Sequence, residues 1–244
     1  MDYAFLLKSL LFMNFGQQLF VDYSTPHCMA SNTGSMIGRC NRVFNNGPVT
    51  AQDIIDVKNY FKDIHFTWVV DACDTTTIAA LENHGLVFKA TAPALIRDLQ
   101  DIPITRQHDI RVKEITEDQE FNQWIAITNA NYSYDAQELA KAVRFLVGRA
   151  QGKLKLYLGY YHETPVAASM IVYHAHKLVS MHLIGTLKEF RSKGVGMAIL
   201  SEPLGIAYND GYRHAVLLTS TMGTPLAHKL GFKEYTTYVV YGNY

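Results

Sequence analysis

The sequence predicts an α+β protein: a mixed, largely antiparallel sheet flanked by helices, preceded by a second, smaller α/β unit. Three observations carry that expectation. Residues 154–183 hold three strand-like runs, Leu154–Tyr161, Pro165–Tyr173 and Leu178–Leu183. The links between them, Glu163-Thr164 and Ala175 to Lys177, are so short that neighbouring strands should be antiparallel. Around these runs the elements follow the order strand, helix, three strands, helix, strand, helix, strand. Upstream, a shorter strand-helix-strand rhythm leads into Ala92 to Gln107, a stretch with Pro93 and Pro103 that reads as a connector. The expected units are therefore residues 1–105 and 108–244.

Each element has its own local warrant. Phe5, Leu6, Leu10, Met13 and Phe20 have helical apolar spacing, so residues 1–21 read as a buried amphipathic helix. A signal peptide fits less well, because Asp2 stands in the n-region and Lys8 breaks the apolar run. Residues 22–38 are rich in Ser, Thr, Asn, Gly and Pro and read as loop. Arg42 to Phe44 opens a strand that Asn45-Asn46-Gly47-Pro48 turns, and Thr50 caps a helix with Asp53 three residues on. Ile54, Ile55, Val57, Tyr60 and Phe61 form that helix's apolar face, and His65 to Val70 reads as a buried strand. Thr75 or Thr76 should cap a helix through Ala79, Ala80 and Leu81 that stops at Gly85, before a strand over Leu86 to Lys89. In the second unit, Ile110 to Ile115 is a strand, and Glu117 to Gly148 is helical with a break near Asn131 to Asp135. After the three strands come a helix from about Gly194 to Asp210, a strand at His214 to Thr219, a short helix at Thr224 to Lys229, and strands over Phe232 to Tyr241. The pair His84-Gly85-Leu86-Val87-Phe88 and Leu230-Gly231-Phe232-Lys233-Glu234 hints at duplication.

Composition narrows the classes of function. Hydrophobic residues at 48% against 18% charged permit a sizeable core and exclude a largely disordered chain. The 22 basic and 22 acidic residues cancel, so nothing draws the protein nonspecifically to nucleic acid or an anionic membrane. No apolar run reaches the roughly 18 residues of a spanning helix. Cys28, Cys40 and Cys73 contain no C-x-x-C pair, which signals neither a disulfide framework nor zinc. Reduced thiols in a cytoplasmic protein without a metal are expected, and oligomeric state, a homodimer included, is left open.

The informative turn is Arg191-Ser192-Lys193-Gly194-Val195-Gly196-Met197, between a strand ending near Thr186 and the helix of Ile199, Leu200 and Leu204. Glycines at 194 and 196 remove side chains where the backbone enters the helix, so successive amides and the positive helix end can face one anion. Arg191 and Lys193 add charge. A dinucleotide fingerprint would need a third glycine in the first turn of a βαβ unit, and a P-loop would need G-K-[ST]; neither is present.

The stretch Thr186-Leu-Lys-Glu-Phe-Arg-Ser-Lys-Gly-Val-Gly196 is similar to the signature of the GNAT superfamily, in which R/Q-x-x-G-x-G/A follows the fourth strand. The resemblance covers about 135 residues from Arg111 on. It implies an acyl-CoA-dependent N-acyltransferase, with acetyl-CoA as co-substrate and a small-molecule or peptide amine as acceptor. It also implies that Arg191, Ser192, Lys193, Gly194, Val195, Gly196 and Met197 hold the pyrophosphate, and Leu183, Ile184, Gly185 and Thr186 the pantetheine between splayed strands. Ser220 stands where the family often has asparagine and Gly223 where it has alanine, and both are expected to line the cofactor slot. The family's strand-four carboxylate falls on Ser180, leaving His182 as the candidate base and Ser180 as a candidate to order a water. The family's acid tyrosine falls on Ala227, with His228, Tyr208, Tyr235 and Tyr238 as substitutes to weigh. Two alternatives stay open: a CoA-binding regulatory module without turnover, and a tandem-GNAT aminoacyl transferase, which the neutral charge disfavours. The first unit has the strand-helix-strand rhythm of a degenerate GNAT-like half, with an unrelated α/β cap as the alternative; its Pro48 lacks an amide hydrogen, and it is expected to bind no CoA.

Overall fold

A computed structural model describes residues 22–104, 107–220 and 222–244 of the chain, so the helix expected over residues 1–21 lies outside the described residues. The first half supplies β1 (Tyr23–Ser24), β2 (Cys28–Ser31), a 3-10 turn (Gly38–Cys40), β3 (Arg42–Asn45), α1 (Ala51–Phe61), β4 (Thr67–Asp71), α2 (Thr75–Asn83) and β5 (Val87–Asp98). The second supplies β6 (Ile110–Glu114), α3 (Asp118–Tyr132), α4 (Ala136–Arg149), β7 (Leu154–Tyr161), β8 (Thr164–Tyr173) and β9 (Leu178–Thr186). It continues through α5 (Val195–Asn209), β10 (His214–Leu218), α6 (Thr224–Lys229) and β11 (Lys233–Gly242).

All these strands join one sheet in the order β1-β2-β3-β4-β11-β5-β10-β9-β8-β7-β6. Only β3–β4 and β9–β10 run parallel, so the sheet is mixed and largely antiparallel. The order is symmetric about its middle. In each half a parallel pair (β3–β4; β9–β10) is bridged by a helix, and the last strand of each half crosses over: β11 lies between β4 and β5, and β5 between β11 and β10.

Strand alternation sorts the core into two faces. Val43, Trp68, Val70 and Tyr241 pack under α1 and α2, while Val179, Met181, Ala215 and Leu217 pack under α5. The other face holds Phe44, Val69, Ala94, Leu178, Val216 and Tyr238 in one cluster, and α3 and α4 pack over β7 and β8 on Leu156, Leu158, Met170 and Val172.

Four local expectations are corrected. Ala92–Asp98 is strand, not connector: Pro93 lies opposite Thr237 of β11, and its carbonyl accepts from the Thr219 amide just past the end of β10, so the proline sits where that ladder ends and costs at most its last bond. The cap of α2 is Asp74, which accepts from the Thr77 amide, and Thr75 is already helical. Residues 22–38 contain β1 and β2, because Thr25 Oγ1 accepts from the His27 and Cys28 amides and turns the chain while Cys28 and Ala30 go inward. The final segment is a single strand, β11, rather than several. Thr50 and Asp53 do form the reciprocal capping box of α1.

An interior proline in α5 has a built-in remedy. Pro203 has no amide hydrogen for the Ile199 carbonyl, and buried Ser169 Oγ donates to that carbonyl at 3.2 Å.

Candidate functional site

β9 and β10 pair from Leu178↔His214 to Met181↔Leu217, after which β9 runs on to Thr186 with no strand partner on that side among the described residues. The left-handed backbone of Leu183 (φ 49°) marks where the strand bends away. The gap is a cleft of about 340 Å³. One wall is Met181 to Thr186, the other Leu217 to Ser220 with Met222, Gly223, Leu226 and Ala227, and Asn131 and Tyr132 close one end.

The expected turn sits at the mouth of this cleft. Ser192 (φ 62°) and Gly194 (φ 88°) take left-handed backbone, and a Cβ at Gly194 would lie 2.6 Å from Gln107 Nε2, so only glycine suits that position. Beyond Arg191, the first backbone amide with a described partner is that of Met197, bonded to the Gly194 carbonyl at 3.0 Å. The amides of Ser192, Lys193, Gly194, Val195 and Gly196 are thus left as donors at a helix N-terminus that has no side-chain cap. Arg191 lies across the mouth, donating from Nε to the Thr186 carbonyl (3.1 Å) and from Nη2 to Asn131 Oδ1 (3.3 Å).

Of the residues expected to bind the cofactor, Leu183, Ile184, Gly185, Thr186, Arg191, Ser192, Gly196, Ser220 and Gly223 line the cleft. Lys193 turns its ammonium over the rings of Tyr161 (4.8 Å) and Phe190 (5.1 Å). Val195 is fully buried and Met197 packs under the same core, so among the turn residues these two contribute backbone only; Gly194 has no side chain to contribute. Ser220 accepts from the Gly223 and Thr224 amides at the start of α6.

His182 lines the cleft, and Ser180 lies behind it, fully buried. The two are linked: His182 Nε2 is 2.7 Å from Ser180 Oγ, which is 2.7 Å from Nε2 of buried His174. Burial first, then the charge of Arg42, then His174 hold the His182 pKa well below the ordinary 6.5, so its imidazole is neutral at pH 7. Ala227 does line the cleft and brings no hydroxyl to it. Among the weighed substitutes, His228 Nδ1 is engaged by the Phe232 carbonyl, Tyr208 packs on Arg213, Tyr235 is exposed, and Tyr238 belongs to the cluster around Phe44.

Sequence reasoning missed Asn131 and Tyr132. The Tyr132 hydroxyl donates to the Ile184 carbonyl at 2.9 Å, and burial, with Tyr134 beside it, pushes its pKa up to about 12. Their signal was the helix break itself, where Ser133 takes left-handed backbone and exposes the end of α3 to β9. No His, Cys, Asp and Glu group suited to a metal occurs among the described residues, and no described helix is long and apolar enough to cross a membrane.

No family model matches the sequence, and a search of curated proteins finds no relative. Solved structures do resemble it. A GCN5-related N-acetyltransferase from Kribbella flavida superposes with a TM-score of 0.73 at 14% identity, covering 99% of this chain and 95% of that one. One from Sphaerobacter thermophilus gives 0.62 at 13%, with 88% and 76% covered. A tandem GNAT protein from the clavulanic acid biosynthesis pathway gives 0.61 at 11%, with 88% and 78% covered. The fold of this chain is that of these GCN5-related N-acetyltransferases.

Proposed function

We propose that the protein is an acyl-CoA-dependent N-acyltransferase that moves an acetyl group from acetyl-CoA to a primary amine by direct attack. The observation that carries this reading is the run of amides from Ser192 to Gly196, which have no hydrogen-bond partner among the described residues, at the mouth of the β9–β10 cleft, a cradle suited to a diphosphate. The free β9 edge from His182 to Thr186 suits the amide groups of a pantetheine arm, and Arg191 adds positive charge at the rim. Acetyl-CoA, when bound, would supply a thioester carbonyl to the amine.

The chain's own part is proton handling and exclusion of water. An ammonium has no lone pair, so a base must take a proton from the acceptor. With Nε2 of His182 tied to Ser180, Nδ1 is the nitrogen left to accept it. Nε2 then carries the hydrogen given to Ser180 Oγ, whose own hydrogen goes to His174 Nε2. The proton taken up at Nδ1 of His182 is thereby matched by one delivered to His174, which holds it as the imidazolium. The amine nitrogen bonds to the acyl carbon, the carbon–sulfur bond breaks, and the electron pair leaves with sulfur. Ala227 offers no acid there, and a thiol of pKa about 8.5 leaves tolerably as thiolate. The same alanine favours the second reading, a CoA-binding module without turnover.

Thermal unfolding with saturating acetyl-CoA tests the donor site. A ligand at about 100 times its Kd stabilises by about 2.7 kcal/mol, a shift of a few degrees. A Cβ at Gly196 would meet Thr186 Oγ1 at 3.4 Å and Leu226 at 3.6 Å, so Gly196→Ala should fold and keep the shift, whereas Gly196→Glu should fold and lose it. No shift in the folded parent with acetyl-CoA, free CoA or longer acyl-CoAs overturns the reading. A shift without thiol release on any amine leaves the non-catalytic module.

A further inference from the structure

Arg42 belongs to β3, where Val43 enters the core under α1 and Phe44 joins Leu178 and Val216 on the opposite face. Two residues before Phe44, Arg42 projects to that same face. On β9 the residue in this cluster is Leu178, and Ser180 and His182 follow it with the same parity. Arg42 and His182 therefore share one face although their strands lie five places apart, and the Arg42 charge reaches the imidazole. The 3-10 turn before β3 is held close to α4, with the Met36 amide on Glu138 and Lys141 Nζ on the Gly34 carbonyl.

The guanidinium is poorly served by the fold. Nε donates to the Arg39 carbonyl at 3.0 Å, but Nη1 is buried with no hydrogen-bond partner among the described residues. The titratable groups that act on it are Cys40, whose thiol burial pushes up to about 11, Tyr134, whose pKa burial also raises, and Arg39, a like charge. None of them is an anion at neutral pH. Glu138, near Cys40, is engaged with Met36 and lies 4.0 Å from Lys141. A buried cation without an anion is a cost to the folded state that a ligand can relieve, and a planar guanidinium fork matches a carboxylate best.

We infer that Arg42 receives a carboxylate of the acceptor, so that the amine presented to His182 belongs to an amino acid. This rests on the acyltransferase reading and adds a substrate class to it. The binding energy comes from a strand of the first half, while the donor turn and the base belong to the second.

The test compares acceptor pairs that differ by the carboxylate: glycine and methylamine, alanine and ethylamine, phenylalanine and phenethylamine. Thiol release from acetyl-CoA is followed in the parent, Arg42→Met and Arg42→Lys. The parent should favour each amino acid by at least about tenfold in kcat/KM, since a site built for a charged group rejects the analogue lacking it. Arg42→Met should abolish that preference through KM and keep the acetyl-CoA thermal shift. It should melt no lower than the parent, because it removes an uncompensated buried charge. Arg42→Lys should retain part of the preference. Equal use of both members of each pair, or a lower melting temperature for Arg42→Met with the preference intact, overturns the inference while the acetyl-CoA shift keeps the acyltransferase reading alive. Ligand-observed NMR of glycine against methylamine, without acetyl-CoA, decides the Arg42 site even if no transfer occurs: Arg42-dependent binding of glycine alone supports it, and equal or absent binding of both overturns it.

Discussion

His182 is neutral at pH 7 because burial, Arg42 and His174 all oppose its charge. The sign of its pH effect follows from linkage. With a folded pKa below the ordinary 6.5, the unfolded chain takes up the proton first, so stability present above pH 6.5 is lost as pH falls from there through the folded pKa. His182→Gln should flatten that loss, read as denaturation midpoints at pH 7 and pH 5.5; an unchanged slope would mean that His182 is not the group responsible. The same substitution should lower kcat by about 10²- to 10⁴-fold and leave the acetyl-CoA shift in place. The acid limb of kcat/KM should lie below pH 6.5 in the parent. Residue types on β9 were legible because parity along one strand is local: His182 and Ser180 could be named from the sequence as separate candidates. Their link through His174 was not legible, since it depends on how β8 meets β9 across a turn. The contacts of Lys193 and the place of Arg42 were illegible for the same kind of reason. The rings that attract Lys193 lie in part on β7, and Arg42 reaches the site only once five strand pairings have been made.

Elements with strong periodicity and local caps, such as α1 with its Thr50–Asp53 box and the strands β7 to β9, could be read directly, since short turns and i, i+3 contacts are written within a few residues. β5 was not, because prolines argue for a connector unless the side of the strand that faces a partner is known. Pro203 poses the same question inside α5, and Ser169 answers it from another element. Removing that hydroxyl leaves a buried carbonyl unsatisfied, so Ser169→Ala should cost about 1–3 kcal/mol in chemical denaturation. Pro203→Ala restores an amide to the helix, and in the double variant Ser169→Ala should cost much less than it does alone. Additive costs in this cycle would show that the Ser169 hydroxyl does not substitute for the missing helical bond.

At the scale of the molecule, the two halves meet in the middle of one sheet rather than across a surface. β11 pairs with β4 and β5, both from the first half, and β10 has β5 along its outer edge. The cluster of Phe44, Val69, Ala94, Leu178, Val216 and Tyr238 also draws on both halves. A fragment of residues 108–244 keeps the whole acyl-donor cleft in sequence, yet it would leave β11 with no partner on either side and expose the β10 edge, the condition that drives strands to aggregate. We therefore expect 108–244 alone to be insoluble or to melt without cooperativity, and co-expression with 1–107 to recover a complex that melts as one unit and shifts with acetyl-CoA. In that complex the amides of Val239 and Val240 should exchange as slowly as those of β8, which is paired on both sides. If 108–244 alone melts cooperatively at the parent's temperature, the exchanged strands are dispensable; Arg42 could then be removed with the entire first half, and the amino-acid preference measured in the fragment should vanish while acetyl-CoA binding persists.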